Sequence, residues 1–187
     1  MIPLPNKKYH IIYADPAWKY DFSKTSSRSI KYETCDMKTL CDIPVGTIAE
    51  DDSVLLMWAT FPRLDWAVPI MNAWGFKYVT MLFTWIKTNK DGTPFIGLGY
   101  YTRSNPEVCL LGKKGKGIQA KVHDISSIVH SPIREHSRKP DEIREHIVRL
   151  FGDVSRIELF ARQRFEGWDA WGNELTDKII KKKKMWF

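Results

Sequence analysis

The stretch Ile11-Ile12-Tyr13-Ala14-Asp15-Pro16-Ala17-Trp18 decides how the rest of the chain is read. Its apolar first half predicts a buried strand, and Asp15 follows directly, at the carboxyl edge where open parallel sheets present themselves to ligands. An Asp-Pro-x-aromatic tetrad in that place has a chemical logic. The exocyclic amino group of a base is a poor nucleophile because its lone pair is delocalised into the ring. The Asp15 carboxylate and a backbone carbonyl of the turn stiffened by Pro16 can accept both N–H bonds and leave the lone pair facing an electrophile. Trp18 supplies a face for stacking, at about 1–3 kcal/mol per base. The same four residues also fit a plain strand end at an Asp-Pro turn, with Trp18 packed in the core.

Outward from this stretch, residues 19–35 are polar and aperiodic, a pattern of lids and binding loops. Residues 36–40 begin a short capped helix, and 54–59 are a second apolar run of strand length. Leu64, Val68 and Met71 recur at helical spacing, with Thr60 as cap, Pro62 in the first turn and Gly75 as the stop. Residues 76–87 alternate as a longer strand, 88–105 form a second long irregular stretch, and 106–112 return as a strand able to pair in a hairpin. A short strand is expected at 124–129, a helix from Pro140 to Gly152, and a last buried strand at 155–160. This alternation predicts an α/β fold, an open sheet with helices on both faces.

The chain has 187 residues, the length of one domain, and a net charge of +7, which suits a polyanionic partner. Cys35, Cys41 and Cys109 have neither zinc nor redox spacing, so a reducing compartment and no metal are expected. No signal peptide or membrane-length apolar run is present, which reads as a soluble cytoplasmic protein. Neither Gly-x-Gly-x-x-Gly nor a Walker-type loop occurs, so a standard dinucleotide or nucleoside-triphosphate site is not indicated. Residues 176–187 read as an exposed basic tail.

Four stretches in order, Tyr13-Ala14-Asp15-Pro16-Ala17-Trp18, Trp85-Ile86-Lys87-Thr88-Asn89, Ser137-Arg138-Lys139-Pro140-Asp141-Glu142-Ile143 and Ile157-Glu158-Leu159-Phe160-Ala161-Arg162 with Trp171-Gly172-Asn173-Glu174, resemble the MT-A-seventy family of S-adenosylmethionine-dependent adenine-N6 methyltransferases. The resemblance implies a Rossmann-like class I methyltransferase domain over residues 1–175, a mostly parallel sheet in permuted order with the catalytic strand first and the cofactor strand last. It implies methyl transfer from S-adenosylmethionine to the N6 amino group of adenine in nucleic acid. Compact members without RNA-binding modules look like the bacterial and phage versions, so DNA is expected ahead of RNA. A homo- or hetero-oligomer is compatible with it, and so is a catalytically inactive nucleic-acid-binding subunit.

Carried over by position, the resemblance assigns Asp15, Pro16, Ala17 and Trp18 to the target amino group, with Asp15 also near the cofactor. Lys139 would pair with the cofactor carboxylate, beside Ser137 and Arg138. Phe160 and Arg162 would contact the cofactor, and Asn173 and Glu174 would take its ribose hydroxyls. Tyr32 matches a tyrosine at the mouth of the site, Glu107 an acidic residue near the acceptor adenosine, and Trp85 and Lys87 the cleft wall. One departure is Ala17, where the family usually has a second proline; reduced rigidity is expected there.

Overall fold

The computed structural model describes residues 2–20, 34–99, 101–135 and 138–181. A sheet of seven strands is built from β1 (Tyr9–Ala14), β2 (Ala49–Ala59), β3 (Lys77–Thr88), β4 (Glu107–Lys114), β5 (Ile128–Pro132), β6 (Arg156–Leu159) and, past the two-residue β7 (Arg164–Phe165), β8 (Asp169–Trp171). Their spatial order is β5-β3-β4-β2-β1-β6-β8. β4 runs antiparallel to β2 and β3, and the other neighbouring pairs are parallel.

Side chains alternate across this sheet, and each face finds its own helices. Ile12, Ala14, Leu55 and Met57 pack against Leu40 of α1 (Met37–Cys41) and Ile70 and Met71 of α2 (Leu64–Ala73). Ile11, Tyr13, Leu56 and Trp58 face the other way, onto Ile143, Ile147 and Phe151 of α3 (Glu142–Phe151). Full burial of one such aliphatic or aromatic side chain contributes about 1.5–3 kcal/mol.

Helix ends follow their sequence signals. Asp36 caps α1 by accepting from the Thr39 amide at 2.8 Å. Gly152 ends α3 at φ 89°, a conformation that glycine adopts without penalty. Thr60 does not cap α2: a 3-10 turn at Phe61–Arg63 intervenes, and the Thr60 hydroxyl bonds to the Tyr20 phenol at 2.7 Å.

Three expectations shift. The strand sought at 124–129 is β5, displaced because its parallel partner β3 meets it only from Thr84↔Ile128 to Thr88↔Pro132. The strand at 155–160 is not the last, since β8 extends the sheet beyond β6 with three residues, too few to show alternation. Within the stretch read as an exposed basic tail, β9 (Ile179–Ile180) pairs in parallel with β7.

β1 lies between β2 and β6, with α1 covering one face on the way to β2 and α3 covering the other on the way to β6. The carboxyl end of β1 is therefore a topological switch point, where the connections diverge and leave a crevice. Asp15 stands at its mouth.

Candidate active site

A cavity of about 640 Å³ opens beyond the ends of β1 and β6. Asp15, Pro16, Ala17 and Trp18 line it together with Glu107, Arg138, Lys139, Phe160, Arg162, Asn173 and Glu174. Tyr32 and Ser137 lie outside the described residues.

The tetrad is a tight turn braced from one side. The Trp18 amide donates to the Pro16 carbonyl at 2.9 Å, the Cys35 amide to the Ala17 carbonyl at 2.8 Å, and the Lys19 amide to the Cys35 carbonyl at 3.1 Å. With Ala17 in the third place, this backbone ladder supplies the bracing that a second proline ring would give. Trp18 is only 4% exposed and belongs to the core cluster under α2. The indole forms a wall of the cavity, and its Nε1 is buried without a hydrogen-bond partner among the described residues.

A chain of opposite charges runs from Asp15 into the sheet. Lys139 Nζ lies 2.7 Å from Asp15 Oδ2 and 3.2 Å from Glu107 Oε2, and Glu107 Oε1 lies 2.6 Å from Lys87 Nζ. Burial raises the Asp15 pKa above its ordinary 3.8, and Lys139 opposes that rise. For Glu107, burial also pushes upward, but the ammonium groups of Lys139 and Lys87 outweigh it and hold the carboxyl below its usual range. For Lys139, burial pulls downward, and Asp15 and Glu107 overcome it, holding the ammonium well above the ordinary lysine value. The resemblance gives Lys139 to a cofactor carboxylate; in this structure its ammonium contacts Asp15 and Glu107, and it favours the ionised form of Asp15.

Lys87 joins the site through Glu107 rather than as a wall, and Trp85 does not line the cavity. Trp85 is 1% exposed, packs edge-on to Trp58, and donates its indole N–H to the Ser131 carbonyl at 2.8 Å. Trp85 stands between Thr84 and the apolar Ile86, so the sequence pattern left the direction of its side chain open.

On the far side of the cavity the chain turns sharply after β6. Phe160 has φ 60°, a left-handed conformation that costs a residue with a side chain about 1–2 kcal/mol. Its ring packs against Trp171 at 5.6 Å and Trp74 at 6.4 Å, which holds it there. Beyond it, the Ala161 amide donates to the Trp171 carbonyl at 3.0 Å, and Arg162 pairs with Glu174 at 2.8 Å. A Cβ on Gly172 would stand 2.2 Å from the Ala161 carbonyl oxygen, so this close approach requires glycine. Gly172→Ala is expected to push these segments apart and weaken ligand binding in the cavity at least about tenfold, by roughly the cost of backbone strain. Isothermal titration calorimetry with S-adenosylhomocysteine, a product of the cofactor that the resemblance implies, checks this.

Sequence reasoning missed a pair at the cavity floor. Arg144 of α3 grips Glu158 of β6 through two bonds, Nε to Oε2 at 2.7 Å and Nη2 to Oε1 at 2.6 Å, and its guanidinium lies 3.6 Å from the Phe165 ring centre. Burial disfavours the charged guanidinium, but the Glu158 carboxylate outweighs that and raises the arginine pKa further. The signal was available: Glu158 sits between Ile157 and Leu159 in a strand buried at every position, and a carboxylate there needs a cation.

The sequence profile of the MT-A70 family matches residues 9–174, from the first residue of β1 to the glutamate that pairs with Arg162. The Type II methyltransferase M.MunI of Mycoplasma sp is 35% identical over 197 aligned residues, covering 95% of this chain and 82% of that protein. The human N(6)-adenosine-methyltransferase catalytic subunit METTL3 is 29% identical over 179 residues, and a putative N(6)-adenosine-methyltransferase MT-A70-like protein of Medicago truncatula is 28% identical over 189. The alignments cover 90% of this chain but only 28% and 27% of those two relatives. The matched span holds every described residue of the tetrad, the charge chain and the turn after β6, and the chain belongs to the MT-A70 family of methyltransferases.

Proposed function

We propose that this chain transfers the methyl group of S-adenosylmethionine to the N6 amino group of adenine in DNA. The observation that carries the reading is Asp15 itself, a recessed carboxylate at the switch point, beside the Pro16 carbonyl and backed by Lys139. A cavity of about 640 Å³ lies within the roughly 300–1,000 Å³ usual for cofactor sites. Arg138 Nε, buried without a partner among the described residues, is a donor available there, and Asn173 and Glu174 line the cavity. When bound, S-adenosylmethionine supplies a methyl made electrophilic by its sulfonium.

The chain's own residues orient the acceptor. Asp15 takes one N–H of the amino group, and the Pro16 carbonyl, which already accepts the Trp18 amide, has a second lone pair for the other. With both hydrogens held, the nitrogen lone pair points across the cavity toward the turn after β6. Lys139 keeps Asp15 ionised before transfer, and the raised pKa of Asp15 makes it a competent acceptor for the proton released afterwards.

One line favours DNA: the chain spans most of the Type II methyltransferase it matches. The similarity to METTL3, an N(6)-adenosine-methyltransferase catalytic subunit, favours adenosine as the target and keeps RNA as the second reading. Incubation with labelled S-adenosylmethionine and equal amounts of duplex DNA, single-stranded DNA and RNA tests the substrate class. Label in DNA is expected; label in RNA alone would transfer the reading to RNA.

The pH profile follows from the same cluster. Because the Asp15 pKa is raised, the acid limb of kcat/KM is expected above the ordinary carboxylate value of 3.8, with activity lost as pH falls through it. Lys139→Met removes the group that lowers this pKa and should move the limb further upward, while Lys139→Arg should restore it. A profile that does not move between these variants would remove Lys139 from this role.

A further inference from the structure

The connection from β3 to β4 forms a narrow finger. The chain turns at 89–93, where the Asn89 amide donates to the Thr93 carbonyl at 2.8 Å, and comes back along β3 with the Phe95 amide on the Lys87 carbonyl at 3.0 Å. It then runs out and returns as two arms in backbone contact. The Gly97 amide donates to the Ser104 carbonyl at 2.8 Å. A Cβ on Gly97 would meet the Ser104 carbonyl oxygen at 2.2 Å, and one on Gly99 the Thr102 carbonyl oxygen at 2.1 Å. Two glycines thus permit a shape that other residues would force apart.

The root of the finger is pinned to the site. Asn105 accepts from the Lys87 amide at 2.9 Å and donates to the carbonyls of Lys87 at 2.9 Å and Phe95 at 2.6 Å. Lys87 in turn holds Glu107, which shares Lys139 with Asp15. Since β3 is antiparallel to β4, and β4 to β2, which runs parallel to β1, the finger leaves the same sheet edge as Asp15.

Three of its exposed side chains are large and apolar: Ile96 is 71% exposed, Leu98 59% and Tyr101 fully so, beside exposed Thr102 and Ser104. Exposed Lys90 and Arg103 flank them, and the nearby Asp91 carboxylate is occupied by the Thr93 amide and hydroxyl. Three such side chains cover a few hundred Å², well short of the roughly 1,200–2,000 Å² of a stable protein interface. Insertion into a base stack requires only one or two apolar side chains, with cations for the phosphates beside them.

We propose that this finger is a wedge that enters the base stack of a DNA duplex beside the target adenine and fills the space left when that base leaves the helix. The proposal rests on the DNA reading given above. A base buried in a duplex cannot reach Asp15, and its extrusion costs stacking and pairing that an inserted side chain offsets.

The test compares the wild type with the double variant Ile96→Ser, Leu98→Ser, both positions solvent-exposed and outside the charge chain. One duplex carries the sequence that the wild type methylates; a second has an abasic site opposite the target adenine, where extrusion is already easier. The variant is expected to lose about tenfold in kcat/KM on the paired duplex and less than about twofold on the abasic one. Equal losses on both duplexes, or none on either, would overturn the wedge. A change in sedimentation that accompanies the loss would also overturn it, in favour of a protein contact. A wild type that methylates neither duplex overturns the DNA reading itself, and that failure is visible before any variant is compared.

Discussion

Asp15→Asn is expected to lower kcat by about a hundred- to a thousandfold while leaving the fold and nucleic-acid affinity nearly intact. The amide has the carboxylate's shape, so the packing around the turn survives. It has lost the charge that accepts an N–H and stabilises the transferring nitrogen, a contribution whose removal in comparable sites costs about 10²–10³ in rate. The substitution also leaves the buried row of Lys139, Glu107 and Lys87 with one negative charge against two positive ones among the described groups. Lys139 Nζ loses a carboxylate partner at 2.7 Å, and a modest decrease in thermal stability should accompany the loss of activity. Single-turnover kinetics separate the two effects, because they read the transfer step on protein that is folded and saturated. A variant whose transfer rate stays within about twofold of the wild type would exclude Asp15 as the acceptor of the amino group.

Arg144→Leu is expected to be the most destabilising single change at the site. Glu158 would be left as a buried carboxylate without its cation, and breaking such a pair from one side costs about 3–5 kcal/mol. For a domain of this size that corresponds to a fall in Tm of about 10 °C or more. Replacing both partners, Arg144→Leu with Glu158→Leu, should recover most of the loss, since no unpaired charge is then buried. Urea unfolding of the three variants measures this coupling. A double variant as unstable as the single one would mean that the guanidinium acts mainly through its contact with Phe165, 3.6 Å from the ring centre.

The parts of the fold that were legible in the sequence are those where burial is continuous. Residues 11–14 of β1 and the inner half of β2 are uninterrupted apolar runs because both faces are covered by helices, and α3 carries its apolar face at clear helical spacing. β5 and β8 were misplaced or missed because they are short edge strands, whose extent is set by the backbone of a neighbour rather than by their own side chains. At the site, Asp15 was readable from its place after a buried strand. The commitment of Lys139 was not, because a lysine that reaches across 124 positions to a carboxylate leaves no local trace. For Trp18 the sequence left stacking and core packing both open, and the structure buries it at 4% exposure in the core cluster while it lines the cavity.

The identity of the methylated nucleoside tests the central claim most directly. Duplex DNA free of methylation is incubated with the wild-type chain and methyl-labelled S-adenosylmethionine, then digested to nucleosides and separated. All label is predicted to run with N6-methyldeoxyadenosine, and Asp15→Asn should transfer it at about a hundredth of the wild-type initial rate or less. Label in a methylated cytosine, or in N6-methyldeoxyadenosine at equal levels with both proteins, would contradict the account.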